Sequence, residues 1–350
     1  MQPIFRRGWR QAPAGIDAGV ISALWTNTAL ALSVFKHHKE ALALHELALE
    51  NNISLDRSDG VLTSLRNLAI TADEEMRLFD VERLDELVEA ATLILGRKEH
   101  LALHHLQRSQ HKCRIGDFEA AERHWSQFDA MPRPSDRSKY RPGYGEYCLA
   151  RIQLFRGAVD TDLHAKIDRI AQDANSRFVI RAMCWLRGEW NLEMGEWERA
   201  GACFEEEIRM AREVNIDSSS AEVRLAFTHV KSGQSHGVEE LAERISAMDD
   251  PPYASLAELY LALGNCAKAR NQVRAGYIEA WGAGSPWVCW RTLRQCRAIY
   301  KALGDPEPQL PPFDPSKIES YAFEAPLRTY LQKKAEETLI NGRGGDRHLM

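Results

Sequence analysis

Residues 188–206 read GEWNLEMGEWERAGACFEE. Two glycines stand seven apart in a run otherwise made of helix formers, and Trp197, Ala200 and Phe204 follow the second. Glycine is costly inside a helix and favoured where a helix stops in the left-handed conformation. The spacing predicts Gly188 as a close contact between helices and Gly195 as a helix stop. The stretch then divides into a first helix, A, and a second, B.

The same template recurs in both directions. Ser109, Gly116, Phe118, Ala121 and Trp125 reproduce it, as do Ala257, Gly264, Cys266, Ala269 and Val273. Near the start Trp25, Ala29, Leu32, Ala41 and Ala48 follow it, with Lys36 in place of the turn glycine. Weaker copies centre on Phe79/Leu84, Gly157 and Gly233/Val238. Apolar residues between these points fall at helical spacing, and no proline occurs between Pro13 and Pro132. Together these give about seven helical hairpins with a period near 38 residues.

Composition agrees with a folded helical protein. Hydrophobic residues make up 44% and charged residues 27%, so the chain has the apolar content to bury a core. A formal net charge of −5 argues against a general nucleic-acid binder. The seven cysteines are scattered singly, as in a reduced, cytoplasmic protein. No apolar run follows the N-terminal arginines and none approaches the roughly 18 residues of a membrane span, so neither a signal peptide nor a membrane segment is expected.

Small–x6–Gly–x–aromatic–x2–Ala–x3–aromatic resembles the tetratricopeptide repeat. The resemblance implies an all-α, right-handed superhelical solenoid whose A helices line a concave groove. A second resemblance lies in SPWVCWRTLRQCRAIYKALGDPEPQLPPFDPSKIESYAFEAPLRTYL, residues 285–331, which is similar to the tail of repeat-bearing bacterial STAND-type regulators. It implies a sensor or adaptor acting with an NTPase or another effector. The chain departs from that family in lacking any G-x4-GK[ST] phosphate loop.

The expected organisation is a flexible N-terminal segment at 1–20 and a solenoid over 21–304. A proline-rich strap and C-terminal capping helix over 305–340 and a disordered tail at 341–350 complete it. Leu310 and Phe313 are expected to pack the strap down. Trp281, Trp287, Trp290 and Tyr300 serve either as the core of the cap or as a docking patch.

The groove of such a solenoid is lined chiefly by A-helix residues three, six and ten before the turn glycine and two before it. That rule selects Gln110 and Arg114, Tyr147 and Arg151, then Trp185, Glu189 and Glu193, and finally Phe227 and Lys231. Aromatics and arginine beside single charges suit a protein or peptide ligand. The alternative for Trp185 and Tyr147 is packing against the neighbouring repeat. No catalytic signature appears, and no cofactor, nucleic acid or membrane is implied as a partner. A non-catalytic binding scaffold is the leading reading, and a peptide-pheromone receptor is the second. The third is a metal-dependent module using His100, His104 and His111, which share one helix face but lack an obvious completing ligand.

Overall fold

Left-handed backbone recurs at Lys36, Asp56, Met76, Gly96 and Gly116, every twenty residues. The computed structural model describes residues 15–132, 143–157, 165–170, 176–318 and 320–345, and among these it is all-helical with no strand. Each left-handed residue ends a helix in one recurring arrangement. The following amide donates to the carbonyl five residues back, as in His37 to Leu32, Arg57 to Asn52, Arg77 to Ala72 and Glu196 to Asn191. This is the Schellman motif, which satisfies carbonyls the helix end would otherwise orphan.

In chain order the first helices are α1 (Ala18–Val34), α2 (His38–Ser54), α3 (Ser58–Glu74), α4 (Leu78–Ile94) and α5 (Lys98–Ile115). Then come α6 (Phe118–Ala130), α7 (Tyr144–Arg156), α8 (165–170), α9 (Arg177–Glu193) and α10 (Trp197–Glu213). The last are α11 (Ser219–Lys231), α12 (Val238–Ser246), α13 (Tyr253–Ala262), α14 (Cys266–Trp281), α15 (Trp290–Leu303) and α16 (Glu324–Gly345). Consecutive helices pack as pairs, the arrangement of an α-solenoid.

The repeat residues have the expected packing. Ala41, Ala121, Ala200, Val238 and Ala269, each five after a left-handed residue, are buried. Gly188 sits against the Phe204 ring, where a Cβ would come within 2.5 Å of Cε1. One copy shifts register. With Met76 as the left-handed residue, Leu78 and Val81 take the places of Trp197 and Ala200, not Phe79 and Leu84. Leu84 lies one turn beyond Val81 on the same buried face, which explains why it mimics the signal.

The chain forms two compact units, residues 1–107 with 314–350, and residues 108–313. In the first, α16 packs on α2 and α4. Phe323, Leu327, Tyr330 and Leu331 join a core with Leu62, Leu65, Leu84 and Val88. The helix expected to cap the last hairpin is therefore part of the core of α2–α4. Aromatic residues at its start fix it there. Arg77 and Arg83 lie over the Tyr321 ring at 5.6 Å each, Arg83 pairs with Glu324, and Ser58 bonds the Tyr330 hydroxyl at 3.0 Å.

In the second unit the strap lies along α14 and α15. The Trp281 indole donates to the Pro311 carbonyl at 2.8 Å, Leu310 joins the core of Tyr277, Leu293 and Tyr300, and Phe313 meets Trp287 edge to face. The aromatic cluster thus serves packing. Residues 1–14 of the expected N-terminal segment and 346–350 of the expected tail lie outside the described residues, while 341–345 continue α16.

Candidate functional site

The strongest candidate is a cleft of about 320 Å³ in the second unit, bordered by α7, α9, α11, α13 and α15. Its floor is a ladder of polar side chains, one from each successive A helix. The Arg224 guanidinium donates to both Glu189 oxygens, at 2.8 and 2.9 Å, and to Glu258 at 2.6 Å. The Gln295 amide completes the row with a 2.7 Å bond to Glu258. Charged groups this deep persist only when paired and hydrogen-bonded. Burial works against the Glu189 charge, but Arg224 and Arg291 outweigh it and hold the carboxyl below the usual range. Burial likewise opposes Arg224, and Glu189 and Glu258 overcome it.

One wall is aromatic. Phe155 and Trp185 meet edge to face at 6.3 Å, and Arg291 of α15 lies against both, 4.5 Å from the first centroid and 4.7 Å from the second. Its guanidinium reaches Glu189, which lies 102 residues earlier. The next residue back, Trp290, packs on the α5–α6 turn, edge to face with Phe118 and directly over Gly116. Gly116 thus has two reasons to be glycine: a φ of +85° and the absence of room for a Cβ beneath that indole.

The structure brings together some of the residues selected by spacing. Glu189 and Glu193 border the cleft on α9, Glu189 buried and Glu193 exposed, while Trp185 stands behind them, half-buried against the core of Ala200, Phe204 and Ile208 and touching Phe155 and Arg291. Arg151 lies over Phe155 at 5.2 Å. The others lie elsewhere. Tyr147 is buried and stacked on Tyr144, whose hydroxyl donates to Gln110 at 3.0 Å. Arg114 is half-buried. Phe227 is buried in the α11–α13 core beside Trp197, and exposed Lys231 lies over both rings.

Several cleft residues escaped selection although the same spacing marks them. Phe155 stands two before Gly157, Glu258 six before Gly264, and Arg294 and Ala298 ten and six before Gly304. On α11 the cleft residue is Arg224, nine before Gly233, and on α15 Gln295 likewise stands nine before Gly304, so the cleft face also takes in a position outside the selection rule.

His100, His104 and His111 are all buried in α5, and His104 has Asp85 and Glu89 at 3.9 Å. Among the described residues no three His, Cys, Asp or Glu side chains are grouped to hold a metal ion. Among the described residues, no helix is long and apolar enough to cross a membrane. A second cavity, of about 770 Å³, opens between α10, α11 and α12, where α12 has only nine residues. Much of its charged lining is mutually paired, Glu222 with Arg212 and Arg244 and Arg209 with Glu213.

A scan against models of known protein families finds no match to this chain, and neither does a search of curated proteins.

Proposed function

We propose that this chain is a tetratricopeptide-like, right-handed superhelical module that binds a protein or peptide partner, without catalysis, through the cleft of its second unit. The observation that carries the reading is the chemistry of that lining. Among the described residues it combines arginines, glutamates and aromatics with no serine, cysteine, histidine or lysine. Paired charges and flat rings supply directional, desolvated contacts, which is how recognition surfaces obtain specificity. The likeness of residues 285–331 to STAND-type tails adds the role of sensor or adaptor in a bacterial signalling or defence switch, read by an NTPase or effector partner.

Selection from a displayed random-peptide library against the full chain tests this. Binders should be lost on Glu193→Arg and on Arg294→Glu, two exposed cleft positions, and kept on Lys268→Glu, outside the cleft. Binders indifferent to both cleft reversals, or a library yielding none, would overturn the proposal.

A further inference from the structure

Arg291 sits in the cleft as a ligand side chain would. Its guanidinium is held on two sides by aromatic rings and at its end by a carboxylate, and all three partners belong to helices far from its own in sequence. That combination selects arginine. A planar guanidinium stacks on rings while its N–H fork addresses a carboxylate, whereas a lysine ammonium is a compact, strongly hydrated point charge.

Two further features make the occupant exchangeable. Glu189 keeps both of its bonds from Arg224 when Arg291 is withdrawn, so the buried carboxylate is not orphaned. Arg291 also retains 26% of its side-chain surface exposed, which leaves it a route into the cleft. The backbone of α15 need not move, because Leu293, Cys296, Ile299 and Tyr300 anchor it in the core of α13 and α14. Arg224 already serves both Glu189 and Glu258, so Arg291 is a second cation on Glu189.

We infer that Phe155, Trp185 and Glu189 form a receptor site for an arginine side chain of a partner peptide, with Arg291 as an internal placeholder that the partner displaces. The inference rests on the cleft being a peptide site and names the residue that the site reads.

Acetyl-Gly-Arg-Gly-amide, its lysine analogue and isothermal titration provide the test. Arg291→Gln should bind the arginine peptide at least tenfold more tightly than the unsubstituted chain, and the lysine peptide at least tenfold more weakly than the arginine one. Adding Glu189→Gln should abolish the gain. A folded Arg291→Gln protein that binds no better than the unsubstituted chain, or that treats the two peptides alike, overturns the inference. Where that variant does not fold, Arg291→Lys keeps the charge on Glu189 and should show a gain of about threefold; no gain overturns the inference. Failure of both variants to fold also overturns it, since a side chain that the fold requires cannot be yielded to a ligand. Library peptides that depend on Glu193 and Arg294 but not on arginine would sink this inference alone and leave the peptide-binding cleft standing.

Discussion

Gly188→Ala measures the packing on which the repeat reading depends. Its Cβ would lie 2.5 Å from Phe204 Cε1, 2.6 Å from Cζ and 3.0 Å from Cδ1, where ordinary carbon contacts are about 3.5–4.0 Å. Phe204 is fully buried in a core with Ala200, Ile208 and Ala221, so the ring can yield only against packed neighbours. Overpacking of this kind costs roughly 1–3 kcal/mol. Against it stands the gain of replacing a mid-helix glycine, about 0.5–1 kcal/mol. The clash wins, and the net loss is about 1 kcal/mol. Phe204→Leu removes the ring atoms concerned, so in that background the same alanine should be neutral or stabilising. The coupling energy should be about 1–2 kcal/mol, within the range known for touching residues. Urea unfolding of the four proteins, compared at constant slope, reads it directly. An alanine that stabilises the chain with Phe204 present, or costs the same in both backgrounds, refutes the assignment of Gly188 as a helix contact.

Two further outcomes follow from the turns and from a buried acid. Met76→Gly should raise the free energy of unfolding by about 0.5 kcal/mol, because left-handed strain of roughly 1–2 kcal/mol exceeds the added chain entropy of glycine; Gly195→Ala, at a φ of +73°, should lower it. Glu207 is buried, with Arg181 only at 3.8 Å, and burial pushes its carboxyl up to about 7 against the partial opposition of that arginine. The folded chain therefore holds the proton more tightly than the unfolded one, and this contribution is complete below about 4.5 and lost as pH rises through about 7. Glu207→Gln should raise the melting temperature at pH 8 and leave it nearly unchanged at pH 4.5; an equal effect at both values would show the carboxyl to be ordinary.

The turns show what a sequence reveals when a residue type and a conformation coincide. Gly116, Gly195, Gly233 and Gly264 announce left-handed turns because glycine alone enters that region without cost. Asp56, Met76 and Asn215 make the same turn with a Cβ present; Asp and Asn enter that region more readily than other side chains, but nothing in the identity of Met76 advertises it. The hidden turn at Met76 displaced the reading of its repeat by three residues, nearly one helical turn, which leaves the buried face almost unchanged. The destination of α16 was hidden for a different reason. Tyr321, Phe323 and Tyr330 say that the helix must be covered, but only the arrangement of α2–α4 determines by what.

The cleft divides in the same way. Its polar ladder was within reach of the sequence, because Glu189, Arg224, Glu258 and Gln295 lie 35, 34 and 37 residues apart, about one repeat each. Residues that alternate in charge at the repeat spacing must meet wherever their helices stack side by side. A search for complementary charges one period apart finds this ladder with no knowledge of helix rotation, and it finds Arg224, which counting back from Gly233 misses. Arg291 belongs to no such series. Its partner Glu189 is 102 residues away, on the A helix three before its own. Local spacing specifies each repeat and its neighbour, whereas a contact across several repeats depends on the sum of small inter-helix angles that no single residue encodes. The residue that fills the candidate site is therefore the one that periodicity could not supply.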